Sequence, residues 1–113
     1  MQKKSITFIL FGGTGDLVKR KLVPAFAQLI NNQIIGKNST IIGISRKPFT
    51  DAQYKEFLLN SVNGKEKNYI KGINIKYFKG DFENSNLNGL KEFIKKSEKE
   101  KGDRIFYLAT SFK

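Results

Sequence analysis

The stretch that most restricts what this chain can fold into runs from Ile6 through Gly12-Gly13-Thr14-Gly15 to Leu22. Ile6 to Phe11 shows no polar alternation after Thr7, so both faces of the segment must be covered. That marks a central strand of a parallel sheet rather than a half-wet antiparallel one. Glycines follow at once, then apolar residues at helical spacing. Strand, glycine turn and helix start, in that order, form a cradle for a diphosphate. Glycines let the backbone approach the phosphates, and the helix N-terminus presents unpaired N–H groups with a partial positive charge.

Beyond the turn, Val18, Leu22, Ala25, Phe26, Leu29 and Ile30 define the buried stripe of a first helix, with Asp16 available to cap it. Pro24 lies inside that stripe and removes the N–H that would bond the Arg20 carbonyl, so a kink is expected there. Thr40 to Ser45 reads as a second strand, with Gly43 allowing close packing. Thr50 and Gln53 spell a capping box, Phe49 and Tyr54 a hydrophobic staple. The helix they open carries Tyr54, Phe57, Leu58 and Val62 on one face and stops at Asn63-Gly64. A lysine-rich loop is expected from there to Gly72. Ile73 to Phe78 reads as a third strand, and Leu87, Leu90, Phe93 and Ile94 mark a third amphipathic helix with its stop at Gly102. Arg104 to Ala109 completes the pattern as a fourth strand that reads as buried.

Strands and helices alternate with short connections, and right-handed crossovers then require an α/β, doubly wound parallel sheet of the Rossmann type. About four strands are expected in the order 3-2-1-4, with helices on both faces. At 113 residues this is a single domain. No repeat or low-complexity linker interrupts it.

The chain has no cysteine and no histidine, which removes disulfides, thiolate metal sites and the commonest general base. The 21 basic residues outnumber 10 acidic ones, a net charge of +11 that suits polyanionic partners. Only Arg20, Arg46 and Arg104 are arginines, however, and the lysines are scattered, so nucleic-acid binding is not the expected role. No run approaches the ~20 apolar residues of a membrane helix. A cytoplasmic location and no membrane partner are expected.

The turn spacing is Gly12-x-x-Gly15-x-x-Val18, not a strict G-x-G-x-x-G, and it gains weight from the strand and helix around it. Gly12 makes the turn, Gly13 and Gly15 leave space for phosphate, and Thr14 offers a hydroxyl. The end of the second strand separates the cofactors. An NAD site places an acid there for the ribose 2′-hydroxyl, whereas this chain has Ser45-Arg46-Lys47. An arginine binds a 2′-phosphate through paired charged hydrogen bonds, so NADP is expected over NAD, with Lys47 a solvated neighbour. Lys19-Arg20-Lys21 lies one turn into the helix, and spacing alone does not say which member faces the site.

Phe11-Gly12-Gly13-Thr14-Gly15-Asp16-Leu17-Val18-Lys19-Arg20-Lys21-Leu22-Val23-Pro24-Ala25 closely resembles the N-terminal signature of glucose-6-phosphate dehydrogenases. Ile41 to Arg46 resembles that family's second strand and NADP-binding arginine, and Arg104 to Ala109 its fourth strand. The resemblance implies oxidation of glucose 6-phosphate at C1, with hydride passed to NADP and a lactone formed, a reaction of the pentose phosphate pathway. Carried over, Gly12, Gly13, Thr14, Gly15, Asp16 and Leu17 line the cofactor turn, and Arg46 holds the 2′-phosphate. Lys21 reaches the sugar phosphate, and Ala109 and Thr110 pass near the nicotinamide. Where the family continues with prolines, this chain has Ser111-Phe112.

Members of that family are much longer, with a second, catalytic and dimerisation domain that carries the sugar-phosphate motifs and the histidine base. Residues 1–113 therefore correspond to the NADP-binding domain, expected to bind cofactor without turnover on its own. Glucose 6-phosphate becomes a partner only when the second domain is supplied. Alternatives from other classes are a stand-alone, non-catalytic NADP-binding or sensor module and a basic polyanion-binding protein. In the 113 residues alone, strand 105–109 forms an apolar sheet edge, and self-association through it is expected.

Overall fold

The computed structural model describes residues 5–80, 87–98 and 102–108. Four parallel strands, β1 (Ile6–Phe11), β2 (Thr40–Ser45), β3 (Asn74–Lys79) and β4 (Asp103–Leu108), stand in the order β3-β2-β1-β4. Four α-helices connect them: α1 (Val23–Asn31), α2 (Asp51–Leu59), α3 (Lys65–Lys71) and α4 (Leu87–Ser97). Sheet type, strand order and helices on both faces agree with the expected doubly wound architecture.

The alternation of β1 divides the core in two. Phe8 and Leu10 point into a layer shared with Phe26, Ala27 and Ile30 of α1, Tyr54 and Leu58 of α2, and Ile70 of α3. Ile9 and Phe11 point the other way, against Ile42, Ile44 and the α4 residues Leu90 and Ile94. The rings of Phe8 and Phe26 meet at 4.5 Å, and those of Phe78 and Phe93 close the second layer at 5.2 Å. Burying Leu90 and Ile94 stabilises the α4 side by about 1.5–3 kcal/mol each. Because α4 is the one helix covering that layer among the described residues, Ile94→Ala would weaken its hold on the sheet by about 2–5 kcal/mol.

Several local expectations are corrected. The interruption expected around Pro24 takes the form of a π turn, Val18–Leu22, ahead of α1, closed by the Val23 amide on the Val18 carbonyl. Pro24 has no N–H to continue the α ladder, and the chain answers with one wider turn. No side chain caps that π turn, and Asp16 instead pairs its carboxylate with Arg20 at 2.7 Å. Helix α2 ends at Leu59, so Val62 reaches the core from the turn behind it. The lysine-rich segment is not a loop, because Gly64, at φ 59°, opens α3, whose Ile70 is fully buried.

Helix α4 ends at Ser97, short of Gly102, with the Ser97 hydroxyl turned back on the Phe93 carbonyl. A side chain at Gly102 would strike the Ser5 carbonyl, so close approach to the start of β1 accounts for that glycine. Strand β4 is not buried. Among the described residues it pairs with β1 alone and leaves Ile105, Phe106 and Tyr107 at 44%, 59% and 37% exposure.

Candidate cofactor site

Strand β1 delivers the chain to Gly12, whose φ of 79° is the left-handed conformation that glycine adopts without strain. The Gly12 and Gly13 amides both donate to the Ile44 carbonyl, at 2.8 and 3.1 Å, which hangs the turn on the end of β2. Gly15 N–H closes onto the Gly12 carbonyl at 2.9 Å, and Lys19 N–H reaches the Gly15 carbonyl at 3.3 Å. Among the described residues, the amides of Thr14, Asp16 and Leu17 donate to no backbone carbonyl. Asp16 and Leu17 are exposed and Thr14 half-buried. Amides without a backbone acceptor at a helix start are donors available to an anion.

The underside of the turn is filled by protein. A Cβ on Gly13 would lie 2.7 Å from the Tyr54 hydroxyl and 2.9 Å from Gly43 Cα. A Cβ on Gly43 would overlap the Tyr54 ring itself. Both glycines therefore make room for Tyr54, which is fully buried and donates its hydroxyl to the Gly13 carbonyl at 2.8 Å. Burial, with Tyr77 adding to it, pushes the Tyr54 phenol far above its ordinary range, so it stays protonated and remains a donor.

At the end of β2, Thr14 donates its hydroxyl to Ser45 Oγ at 3.1 Å. Ser45 Oγ and Tyr77 Oη are 2.5 Å apart, and Tyr77 donates to the Lys47 carbonyl at 2.6 Å. Arg46 lies between these two anchored residues and is exposed. The nearest acid that follows in the chain, Asp51, is already occupied. One of its oxygens accepts from the Tyr77 amide at 2.8 Å, and the other faces Lys76 Nζ at 3.7 Å. The rim of β2 thus presents cationic side chains where a carboxylate would repel a phosphate.

The basic triplet also separates. Arg20 is paired with Asp16, and Lys19 Nζ sits 5.6 Å above the Phe57 ring. Lys21 is exposed in the π turn and has no ion pair among the described residues. The structure thus brings Gly12, Gly13, Thr14, Gly15, Asp16 and Leu17 together in one turn beside Arg46. Ala109 and Thr110 lie outside the described residues.

Comparison with known proteins agrees with this fold. The sequence family described as "Glucose-6-phosphate dehydrogenase, NAD binding domain" matches residues 9–113. The chain belongs to that family. A glucose-6-phosphate 1-dehydrogenase of Borreliella burgdorferi is 32% identical over 118 residues, covering 98% of this chain and 24% of that protein. The Bacillus subtilis enzyme of the same name is 27% identical over 114 residues, covering 96% of this chain and 23% of its own length. In fold, the chain is similar to a solved glucose-6-phosphate dehydrogenase in complex with its substrate glucose-6-phosphate. The TM-score there is 0.79 at 24% identity, with 96% of this chain and 25% of that chain covered. The Mycobacterium avium glucose-6-phosphate 1-dehydrogenase superposes with a TM-score of 0.69 at 19% identity, covering 97% of this chain and 24% of that one. The chain therefore spans about a quarter of the length of these glucose-6-phosphate dehydrogenases.

Within this family's NAD-binding domain, sequence reasoning missed the tyrosines. Tyr54 reads as a staple and core residue, and Tyr77 as an alternating strand residue. The usable signal was Gly43, a glycine in the middle of a fully buried strand, which implies that something large approaches the backbone there.

Proposed function

We propose that this chain is the NADP-holding part of a glucose-6-phosphate dehydrogenase. The carrying observation is the juxtaposition of three unpaired amides at Thr14, Asp16 and Leu17 with exposed Arg46. The diphosphate is held at the amides of the Gly12–Leu17 turn, and Arg46 takes the 2′-phosphate. Asp16 belongs to the turn with its charge offset by Arg20 at 2.7 Å. Bound NADP supplies the hydride acceptor for C1 of glucose 6-phosphate. The chain's own residues orient it: Tyr54 fixes the turn, and Thr14 ties the turn to Ser45.

Lys21, exposed and unengaged among the described residues, reaches toward the sugar phosphate. The 113 residues include no histidine, so the base that takes the C1 hydroxyl proton is assigned to residues beyond them. Substrate binding and turnover accordingly belong to a protein that includes the second domain, located in the cytoplasm. On its own, the chain binds cofactor and associates with a second copy through β4, whose exposed Ile105 and Phe106 offer an unpaired apolar edge. Titration with NADP and NAD, repeated with Arg46→Ala, tests the cofactor assignment. NADP binds more tightly and the substitution removes the difference; equal affinity for both in the unaltered chain refutes it.

A further inference from the structure

Two tyrosines from neighbouring elements each fasten one half of the site. Tyr54 secures the glycine turn through the Gly13 carbonyl. Tyr77 secures the other half, and the direction of its hydrogen bonds follows from their last acceptor. The Lys47 carbonyl can only accept, so the Tyr77 proton goes to it, at 2.6 Å. Ser45 must then donate to Tyr77, and Thr14 to Ser45 at 3.1 Å. The relay runs from Thr14 through Ser45 and Tyr77 to the Lys47 carbonyl. It grips the residue before Arg46 and the residue after it.

The ring that carries this hydroxyl has little freedom. Tyr77 stands opposite Gly43 in the β2–β3 register, and its amide is held by Asp51 at 2.8 Å. Phe49 meets its ring edge-on at 5.5 Å, and Tyr54 lies 5.0 Å away. Phenylalanine would keep each of these ring contacts. What it would lose is the hydroxyl, and both described partners of that hydroxyl flank Arg46.

We propose that Tyr77 is a positioning residue for cofactor choice: its hydroxyl sets the Ser45–Lys47 backbone so that Arg46 meets a ribose 2′-phosphate. This rests on the assignment of Arg46 made above. Loss of the Tyr77 hydroxyl leaves the diphosphate turn its bonds to the Ile44 carbonyl and to Tyr54, so the effect falls mainly on the 2′-phosphate.

The test uses Tyr77→Phe in the full chain, with dissociation constants for NADP and NAD and a thermal unfolding curve. Loss of one positioning hydrogen bond weakens NADP by roughly three- to tenfold and leaves NAD within about twofold, narrowing the preference. An unchanged preference overturns the proposal. So does a parallel loss of both affinities with a lowered Tm, which is what a purely structural tyrosine would give. If Arg46→Ala abolishes the preference while Tyr77→Phe leaves it intact, the Arg46 assignment stands and Tyr77 alone is refuted. If the unaltered chain shows no preference, the Arg46 assignment fails and this proposal fails with it. Should Tyr77→Phe not fold, Ser45→Ala cuts the relay from its other side: a narrowed preference supports the proposal, and an unchanged one overturns it.

Discussion

Replacing Gly43 with alanine would place a methyl group inside the ring of Tyr54, which is fully buried and cannot retreat toward solvent. Overpacking of this kind costs about 1–3 kcal/mol. If the ring shifts instead, its hydroxyl leaves the Gly13 carbonyl, and an unpaired buried acceptor costs a similar amount, about 1–3 kcal/mol. Both routes damage the cofactor turn, because the Gly13 carbonyl and the Ile44 carbonyl fix it from two sides. A loss of about 1–3 kcal/mol is a large part of the roughly 5–15 kcal/mol that holds a domain folded. At this chain length it lowers Tm by on the order of 5–15 °C. Circular dichroism melting of Gly43→Ala reads the loss directly. A double-mutant cycle with Tyr54→Leu, which removes the ring that the methyl meets, should show a coupling of about 1–3 kcal/mol. Gly43→Ala melting within about 2 °C of the unaltered chain, or additive effects in the cycle, would refute the steric reasoning.

Two further outcomes test other parts of the structure. Glu98 accepts from Arg104 at 2.8 and 2.9 Å and from Thr7 at 2.8 Å, and these bonds hold its carboxyl below its ordinary range. Its folded-state pKa is depressed, so its stabilisation is complete above the unfolded value near 4.5 and is lost as pH falls through the lower folded value. The Tm difference between the unaltered chain and Glu98→Gln should therefore hold above about pH 5 and shrink as pH falls below it, and a constant difference would contradict the pairing. At the sheet edge, sedimentation velocity should show concentration-dependent association that Phe106→Lys reduces, since a lysine blunts an open strand. A chain that is monomeric at every concentration would count against β4 as a contact.

The parts of the fold legible in the sequence were those with dense, one-sided signals. The Ile6–Phe11 run, apolar throughout after Thr7, located β1 and implied cover on both faces, which the division of Phe8 and Leu10 from Ile9 and Phe11 supplies. Thr50 and Gln53 form the capping box with both reciprocal hydrogen bonds in place, because that motif is local and needs no partner elsewhere. Helix α3 escaped notice because Ile70 is its only buried residue, and one apolar position defines no period. The apolar composition of β4 reads as buried, yet it reports only what a strand could pack against, and the open-edge position expected for 105–109 in these residues alone accounts for its exposure. At the site, glycines and Arg46 stood out by residue type. The hydroxyl relay could not, since Thr14, Ser45 and Tyr77 come together only when the parallel register is set.

The most direct measurement is the ratio of NAD to NADP dissociation constants for the unaltered chain and for Arg46→Ala. A charged, paired contact to the 2′-phosphate gives a ratio of about 10–100 that falls to near one in the variant. NAD affinity itself should be unchanged, because the Gly12–Leu17 turn does not depend on Arg46. A ratio near one in the unaltered chain, or the same high ratio after the substitution, would contradict an NADP site built on Arg46.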